Sequence, residues 1–162
     1  MHLFQSIIPV SALIILLTAC GGGESNVESG NRDGFLHYGN GAEPQGLDPH
    51  VVTGVPENHI IRALFEGLAV KNPITLEPEP WDISDDGTVY TFYINPEAKW
   101  SNGEPMTASD YVWSWNRALH PDTGSLYAYM LYPIVNSEAY SKREITDFDQ
   151  VGVKALDDLT LQ

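Results

Sequence analysis

Apolar residues recur at helical spacing in two stretches of the chain. In the first, Pro56 suits the first turn of a helix, Glu57 complements the positive end of the helix dipole, and Gly67 supplies a stop. The apolar positions between them follow the i, i+3, i+4, i+7 pattern: Ile61, Leu64, Phe65 and Leu68. We therefore predict an amphipathic helix that begins at Pro56 and packs its apolar stripe into a core.

The second helical stretch follows a turn at 101–105. Thr107 is predicted as the N-cap and Asp110, three residues later, as a weak capping box. Pro121 biases His120 away from helical backbone angles and ends the helix. The apolar positions in between are Tyr111, Trp115, Ala118 and Leu119. The spacing predicts a second amphipathic helix.

Alternating apolar residues predict strands elsewhere. Residues 81–84 and 88–94 flank a glycine-containing turn, as in a β-hairpin, with Tyr90, Phe92 and Ile94 facing the core. Residues 35–38 form a short apolar run between two glycines, which indicates another strand. Helices and strands together indicate an α/β fold.

Charge and missing motifs limit the possible functions. The chain has 162 residues, with 8 basic and 22 acidic side chains and a formal net charge of −14, which opposes nucleic-acid binding. The chain has no G-x-S-x-G motif of hydrolases, no H-E-x-x-H motif of metalloproteases and no P-loop of nucleotide-binding proteins, and its histidines show no metal-ligand spacing. We therefore predict neither an enzyme nor a metal or cofactor site. Residues 82–87 imitate half of a calcium loop, but the twelfth position is Tyr93 rather than glutamate. A catalytic triad assembled in space stays open.

The amino-terminal region is typical of an exported lipoprotein. The apolar run 7–19 is too short for a membrane-spanning helix and fits a signal peptide over 1–19. The only cysteine, Cys20, follows Leu17-Thr18-Ala19, which resembles a bacterial lipobox and implies cleavage and acylation at Cys20. The alternative is a buried structural thiol. Residues 20–33 are rich in small and polar residues and are predicted to be a flexible linker, followed by a domain over 34–162.

Four segments resemble the family 5 extracytoplasmic solute-binding proteins, the peptide receptors of ABC importers. They are Ala98-Lys99-Trp100-Ser101-Asn102-Gly103-Glu104-Pro105 with the following 107–115, Glu43-Pro44 with Leu47-Asp48-Pro49, Leu64-Phe65-Glu66-Gly67-Leu68, and the strand pair at 151–162. The chain departs from the family just before Trp81, where it looks shortened. The last strand is expected to be left exposed and unpaired.

The resemblance implies the amino-terminal part of a two-lobed, periplasmic-binding-protein-like fold of type II. It also implies an extracytoplasmic location, a peptide ligand and ABC permease subunits as partners. The alternatives are a truncated fragment without transport function, or a receptor for a dipeptide, nickel complex or sugar.

The candidate ligand-binding residues are Thr53, Gly54, Val55 and Tyr127. Extended peptides bind sequence-tolerant receptors by adding a strand, which requires a short extended segment with free backbone groups. Gly54 would allow close approach, and the proline after Val55 favours an extended backbone there. The resemblance implies the same role for the triplet and places the ring of Tyr127 on the ligand. The alternative is a plain connecting loop.

Overall fold

The computed structural model describes residues 23–69 and 81–162. The chain divides into two compact units, Met1–Gly39 and Asn40–Gln162. The division falls at Gly39, whereas the sequence predicts a domain that begins at residue 34. The predicted signal peptide, Cys20 and the shortened stretch before Trp81 lie outside the described residues.

The first unit contains helix α1, Asn26–Asp33, within the segment predicted to be a flexible linker. A capping box starts the helix: the backbone N–H of Glu28 donates to Ser25 Oγ (3.2 Å) and the backbone N–H of Ser25 donates to Glu28 Oε2 (2.8 Å). Gly34 ends it with φ +75°, the left-handed conformation that favours glycine. Ser25, Glu28 and Gly34, which count among the small and polar residues of this region, are therefore helix caps.

The strand predicted at 35–38 is absent, which corrects the prediction. These residues carry no regular structure, and Phe35 and Leu36 are exposed. A strand needs a neighbour for its backbone groups. Here the Phe35 N–H donates instead to Gly30 O of α1 at 2.9 Å.

In the second unit, the predicted hairpin is present as β1, Trp81–Ile83, and β2, Tyr90–Tyr93. The strands are antiparallel, with Trp81 opposite Phe92 and Ile83 opposite Tyr90. Phe92 and Ile94 pack in the core as expected, whereas Tyr90 is exposed near the hairpin turn, so its predicted burial is wrong.

A third strand, β3 (Thr160–Leu161), completes a sheet of order β1-β2-β3. It pairs antiparallel with β2, Leu161 lying opposite Phe92, and on its other side Lys154 and Gln162 exchange two backbone hydrogen bonds of 2.8 Å. Leu161 is completely buried. The expectation of an exposed, unpaired last strand is therefore wrong, because β2 and the 154–156 segment cover both of its edges.

Helix α2 spans Val55–Leu64 and ends before the predicted glycine stop. Phe65 is extended (φ −121°, ψ 143°), and its N–H closes the last turn on Ile61 O. Leu64 and Phe65 are exposed, whereas Leu68 packs against the core. Packing against a core supplies most of the stability of a helix. Because Leu64 and Phe65 are not packed, the helix does not continue for another turn.

Helix α3, Ala108–Leu119, follows the prediction at both ends. Asp110 Oδ2 accepts from the Thr107 backbone N–H at 2.7 Å and from the Thr107 hydroxyl at 3.0 Å. His120 leaves the helix with φ −63° and ψ 127° before Pro121. The Ala108 N–H donates to Asp158 O at 2.8 Å, which joins the helix start to the segment before β3.

After α3 the chain forms 3₁₀ turns at Pro121–Thr123, Ala128–Leu131 and Phe148–Gln150, and a short helix α4, Ser137–Ser141. Tyr140 of α4 donates to Asn116 Oδ1 of α3 at 2.8 Å. Together these elements enclose the core of the second unit: Ile94, Ala108, Leu119, Ala128, Tyr140, Val151, Val153 and Leu161.

Candidate functional site

The predicted ligand-binding triplet lies at the start of α2. Thr53 is exposed, and Gly54 is the N-cap, with extended backbone angles (φ −85°, ψ 157°). Val55 is already the first helical residue, so the expectation that it is extended is wrong. The fixed φ of Pro56 suits the first helical turn, and the helix reaches back by one residue. The extended part of the triplet is therefore Thr53 and Gly54.

Backbone donors of this segment are unused. Within residues 23–69 and 81–162, the N–H groups of Thr53 and Gly54 have no acceptor, and the Gly54 carbonyl accepts only the N–H of Asn58 at 3.1 Å. Unpaired groups on an extended segment are what an added strand requires.

Tyr127 lies against the triplet, although 74 positions separate it from Thr53 in sequence. Its hydroxyl donates to the Thr53 carbonyl at 3.5 Å, a distance at the outer limit of a hydrogen bond. Its ring makes an edge contact with Tyr129, with centroids 6.1 Å apart. Both rings are about half exposed. The structure thus brings Tyr127 to the predicted segment and leaves an aromatic surface beside it.

Glu57 lies beneath Gly54, which sequence reasoning missed. Glu57 is only 3% exposed, and its Oε1 accepts a hydrogen bond from the backbone N–H of Gln45 at 2.7 Å. This hydrogen bond, followed by the backbone N–H of Glu57 itself, lowers the pKa of Glu57, so the side chain is a carboxylate. A Cβ atom at position 54 would lie 2.0 Å from Glu57 Oε2. The sequence signal was present, since Glu57 was noted, but only for its effect on the helix dipole.

An ion pair fixes the loop before the triplet to α3. Arg117 donates to both oxygens of Asp48, at 2.8 Å and 2.5 Å. The hydrogen bond from this guanidinium lowers the pKa of Asp48 to about 2. Asp48 was identified only as part of a family signature, and its partner, 69 residues away, could not be read from spacing.

His50 belongs to the same cluster. Arg117 Nη1 lies 2.5 Å from His50 Nδ1, and His50 Nε2 lies 2.9 Å from Ser114 Oγ. Because arginine has only donors, Nδ1 must accept and the imidazole is neutral, with its proton on Nε2. Burial, followed by the charge of Arg117, lowers the pKa of His50 and favours this state.

The neighbouring serine, histidine and aspartate are not arranged as a hydrolytic triad. The acid of a triad accepts the imidazole proton on the nitrogen remote from the serine. At His50 that nitrogen faces the Arg117 guanidinium, and Asp48 binds the arginine and the His50 backbone N–H instead. The geometry thus describes a tether between the loop and α3.

The described part of the chain contains no group of three or more histidine, cysteine or acidic side chains able to hold a metal ion. In the calcium-like segment, Asp86 Oδ1 accepts from the hydroxyls of Ser84 (2.6 Å) and Thr88 (2.9 Å), which holds the hairpin turn. No helix among these residues is long and apolar enough to cross a membrane.

Comparison with known families identifies the chain. The family model described as "Bacterial extracellular solute-binding proteins, family 5 Middle" matches residues 76–162, more than half of the sequence. The chain belongs to this family 5 of solute-binding proteins. The predicted family membership is therefore confirmed, and the family is defined by solute binding rather than by catalysis.

Known relatives extend the match of this family 5 chain beyond those residues. It is 46% identical over 131 residues to the periplasmic oligopeptide-binding protein OppA of Escherichia coli (strain K12), covering 76% of this chain and 23% of that protein. The Haemophilus influenzae OppA complex with RPPGFSPFR superposes with a TM-score of 0.68 at 36% identity, covering 75% of this chain and 25% of that one. Listeria monocytogenes OppA bound to peptide gives a TM-score of 0.66 at 36% identity, covering 71% and 23%.

The α/β fold class, of the periplasmic-binding-protein type, is confirmed for the matched part. This family 5 chain spans about a quarter of the length of these relatives.

Proposed function

We propose that this chain captures extracytoplasmic oligopeptides for import by an ABC transporter. The observation that carries the proposal is the extended Thr53–Gly54 segment, whose two N–H groups have no acceptor in the described residues and whose carbonyl at Thr53 meets Tyr127. The relatives called oligopeptide-binding proteins or solved with a bound peptide support this ligand class.

The peptide would bind by strand addition. Its carbonyl oxygens would accept the N–H groups of Thr53 and Gly54, and one of its N–H groups would donate to the Thr53 carbonyl in place of the long Tyr127 contact. Because these contacts use only backbone atoms, they tolerate many peptide sequences. The Tyr127 ring would then cover the ligand, and aromatic rings give large contact areas at low entropic cost.

The proposal is tested by calorimetry with peptides of two to nine residues. The matched pair is Tyr127→Ala and Tyr129→Ala, since both remove an exposed ring but only Tyr127 contacts the triplet. We expect Tyr127→Ala to weaken peptide binding by about tenfold, the usual effect of losing a contacting aromatic, and Tyr129→Ala to change it by less than about threefold.

The same variants are measured in the chain itself and in a chimera carrying residues 34–162 in place of the matching part of the E. coli relative. Equal effects of the two substitutions would contradict the assignment of Tyr127. Binding in the chimera but not in the chain would indicate a fragment without transport function. Binding of a nickel complex or sugar, and of no peptide, would show another solute class.

We further propose that the mature protein begins at Cys20, carries lipid there and delivers peptide to permease subunits at the outer face of the membrane. The motivation is the short apolar run before Leu17-Thr18-Ala19-Cys20. A single acyl chain anchors only marginally, so stable attachment requires the diacylglyceryl modification. In cells given labelled palmitate, the parent should be labelled and Cys20→Ala should not. Equal labelling, or none in either, would contradict the anchor.

A further inference from the structure

The glycine of the candidate segment is matched to a buried acid of the same chain. Glu57 is 3% exposed, and its Oε2 has no hydrogen-bond partner within the described residues. The same oxygen would lie 2.0 Å from a Cβ at position 54. Real Cβ contacts are never so short, so no side chain fits at this position while the carboxylate stays in place.

The carboxylate can move aside only by giving up a hydrogen bond. Oε1 holds the Gln45 N–H at 2.7 Å, which joins the loop at 44–46 to the start of α2. A flexible, exposed glutamate could swing away from position 54, whereas this one is buried and bonded to the Gln45 backbone.

Burial of an unpartnered carboxylate oxygen is costly. The favourable interaction with the helix dipole does not require it, because an exposed acid in the first turn gives the same benefit. The helix dipole therefore does not explain why Glu57 is buried. The buried side chain fills the space under Gly54 and sets the distance between the Gly54 backbone and the Gln45 loop.

From these contacts we infer that Glu57 is a positioning residue for the ligand-binding segment. This inference rests on the proposed function, and it assigns Glu57 no contact with ligand. The carboxylate supports the Gly54 backbone from one side, while the Asp48–Arg117 pair fixes the preceding loop to α3. Thr53 and Gly54 are thus held extended before a peptide arrives, which reduces the entropic cost of binding. Glycine is required at position 54 by Glu57, as well as by any approaching ligand.

The test is a double-mutant cycle on the intact chain with Gly54→Ala, Glu57→Ala and the combined variant. The first readout needs no ligand: hydrogen exchange of the Val52 and Asn58 backbone amides, which flank the segment and donate to Asp48 O and Gly54 O at 3.1 Å each, with thermal unfolding followed in parallel. Gly54→Ala should accelerate exchange there at least tenfold, because the new methyl group displaces the carboxylate. Glu57→Ala should also accelerate it by removing the support. In the combined variant the two effects should not multiply, since the clash is gone, and exchange should match Glu57→Ala alone.

Glu57→Gln supplies the conservative control. It keeps the volume and the acceptor for Gln45, so exchange at Val52 and Asn58 should stay within about threefold of the parent. A substitution that only weakens the fold would accelerate exchange throughout the second unit and lower the unfolding temperature in proportion, whereas a positioning role confines the change to Val52 and Asn58. Should Gly54→Ala fail to fold, recovery of folding in the combined variant would support the inference.

Peptide affinity is the second readout. We expect Glu57→Ala to raise the peptide Kd about five- to tenfold and Glu57→Gln to leave it within about threefold. Multiplying effects in the cycle, or unchanged exchange at Val52 and Asn58 in Glu57→Ala, would overturn the inference. If no variant and no parent binds peptide while the cycle is non-additive, the proposed function fails and the positioning role stands.

Discussion

Asp48 and His50 show how two side chains on a loop are fixed by one arginine. Arg117 meets Asp48 with both of its terminal nitrogens and places one of them on His50 Nδ1. The planar guanidinium makes this geometry possible, because it presents several donors in fixed directions. A lysine at the same position would offer one point charge and could not satisfy both partners.

The first prediction concerns this guanidinium. Arg117→Lys should lower the free energy of unfolding by roughly 0.5–1 kcal/mol, a small value because both partners are partly exposed and solvent screens the pair. Urea unfolding measures it. Arg143→Lys is the matched control, since Arg143 forms an exposed ion pair with Asp122 and its replacement should cost less. Equal costs would contradict the special geometry of Arg117.

The second prediction concerns pH. The folded protein lowers the pKa of His50 below its ordinary value of 6.5, so the unfolded chain binds more protons and stability falls as pH decreases below that value. Asp48, with a pKa of about 2 instead of 3.8, adds a second loss at a lower pH, as its carboxylate is protonated between these values. His50→Gln should flatten the urea-unfolding profile between about pH 5 and 7 and leave the lower range unchanged. An identical slope in parent and variant between pH 5 and 7 would contradict the neutral assignment of His50.

At the scale of elements, the strongest local signals were read correctly. The N-cap at Thr107, the proline stop at Pro121 and the hairpin at 81–94 all rest on chemistry within a few residues. The fold departs from the sequence prediction where long-range partners decide. Residues 35–38 have strand-like composition but carry no regular structure, and α2 ends early because Phe65 is not covered. The capping box at Ser25 was a local signal that the polar composition of the segment concealed.

The candidate site likewise has parts that the sequence predicted and parts that it did not. The extended backbone at Thr53 and Gly54 was expected from the residues, whereas Tyr127 was singled out by family resemblance, and its contact with ligand stays a prediction. Glu57 beneath Gly54 and the Arg117 tether depend on side-chain directions and on contacts between distant positions. Neither is fixed by sequence spacing. Burial of Glu57 also runs against the general rule that acids are exposed.

The third prediction tests the start of α3. Asp110→Ala removes the carboxylate that holds the backbone N–H and hydroxyl of Thr107, and should cost about 1 kcal/mol of unfolding free energy, the usual value for a lost cap. Glu97→Ala, an exposed acid outside the helices, serves as the control and should change stability by less than about 0.5 kcal/mol. Equal small effects would show that α3 begins independently of its capping box.

At the scale of the whole molecule, the second unit has a core shared by a three-stranded sheet and the helices and turns around α3. Both edges of the last strand, β3, are paired, so no row of backbone groups is left open at this side of the sheet. The start of α2 is joined to the loop at 44–46 through Glu57, and the loop before Thr53 is joined to α3 through Arg117. A rigid scaffold that presents a short segment with free donors is what a sequence-tolerant peptide receptor requires.

The most direct test of peptide capture is hydrogen exchange of the Thr53 and Gly54 amides with and without saturating peptide. The segment offers these two N–H groups, and strand addition would give each an acceptor. We predict that peptide slows exchange at both positions by at least tenfold and leaves the amides of the 101–105 turn unchanged. Saturable peptide binding that leaves Thr53 and Gly54 exchanging at their original rates would contradict the account.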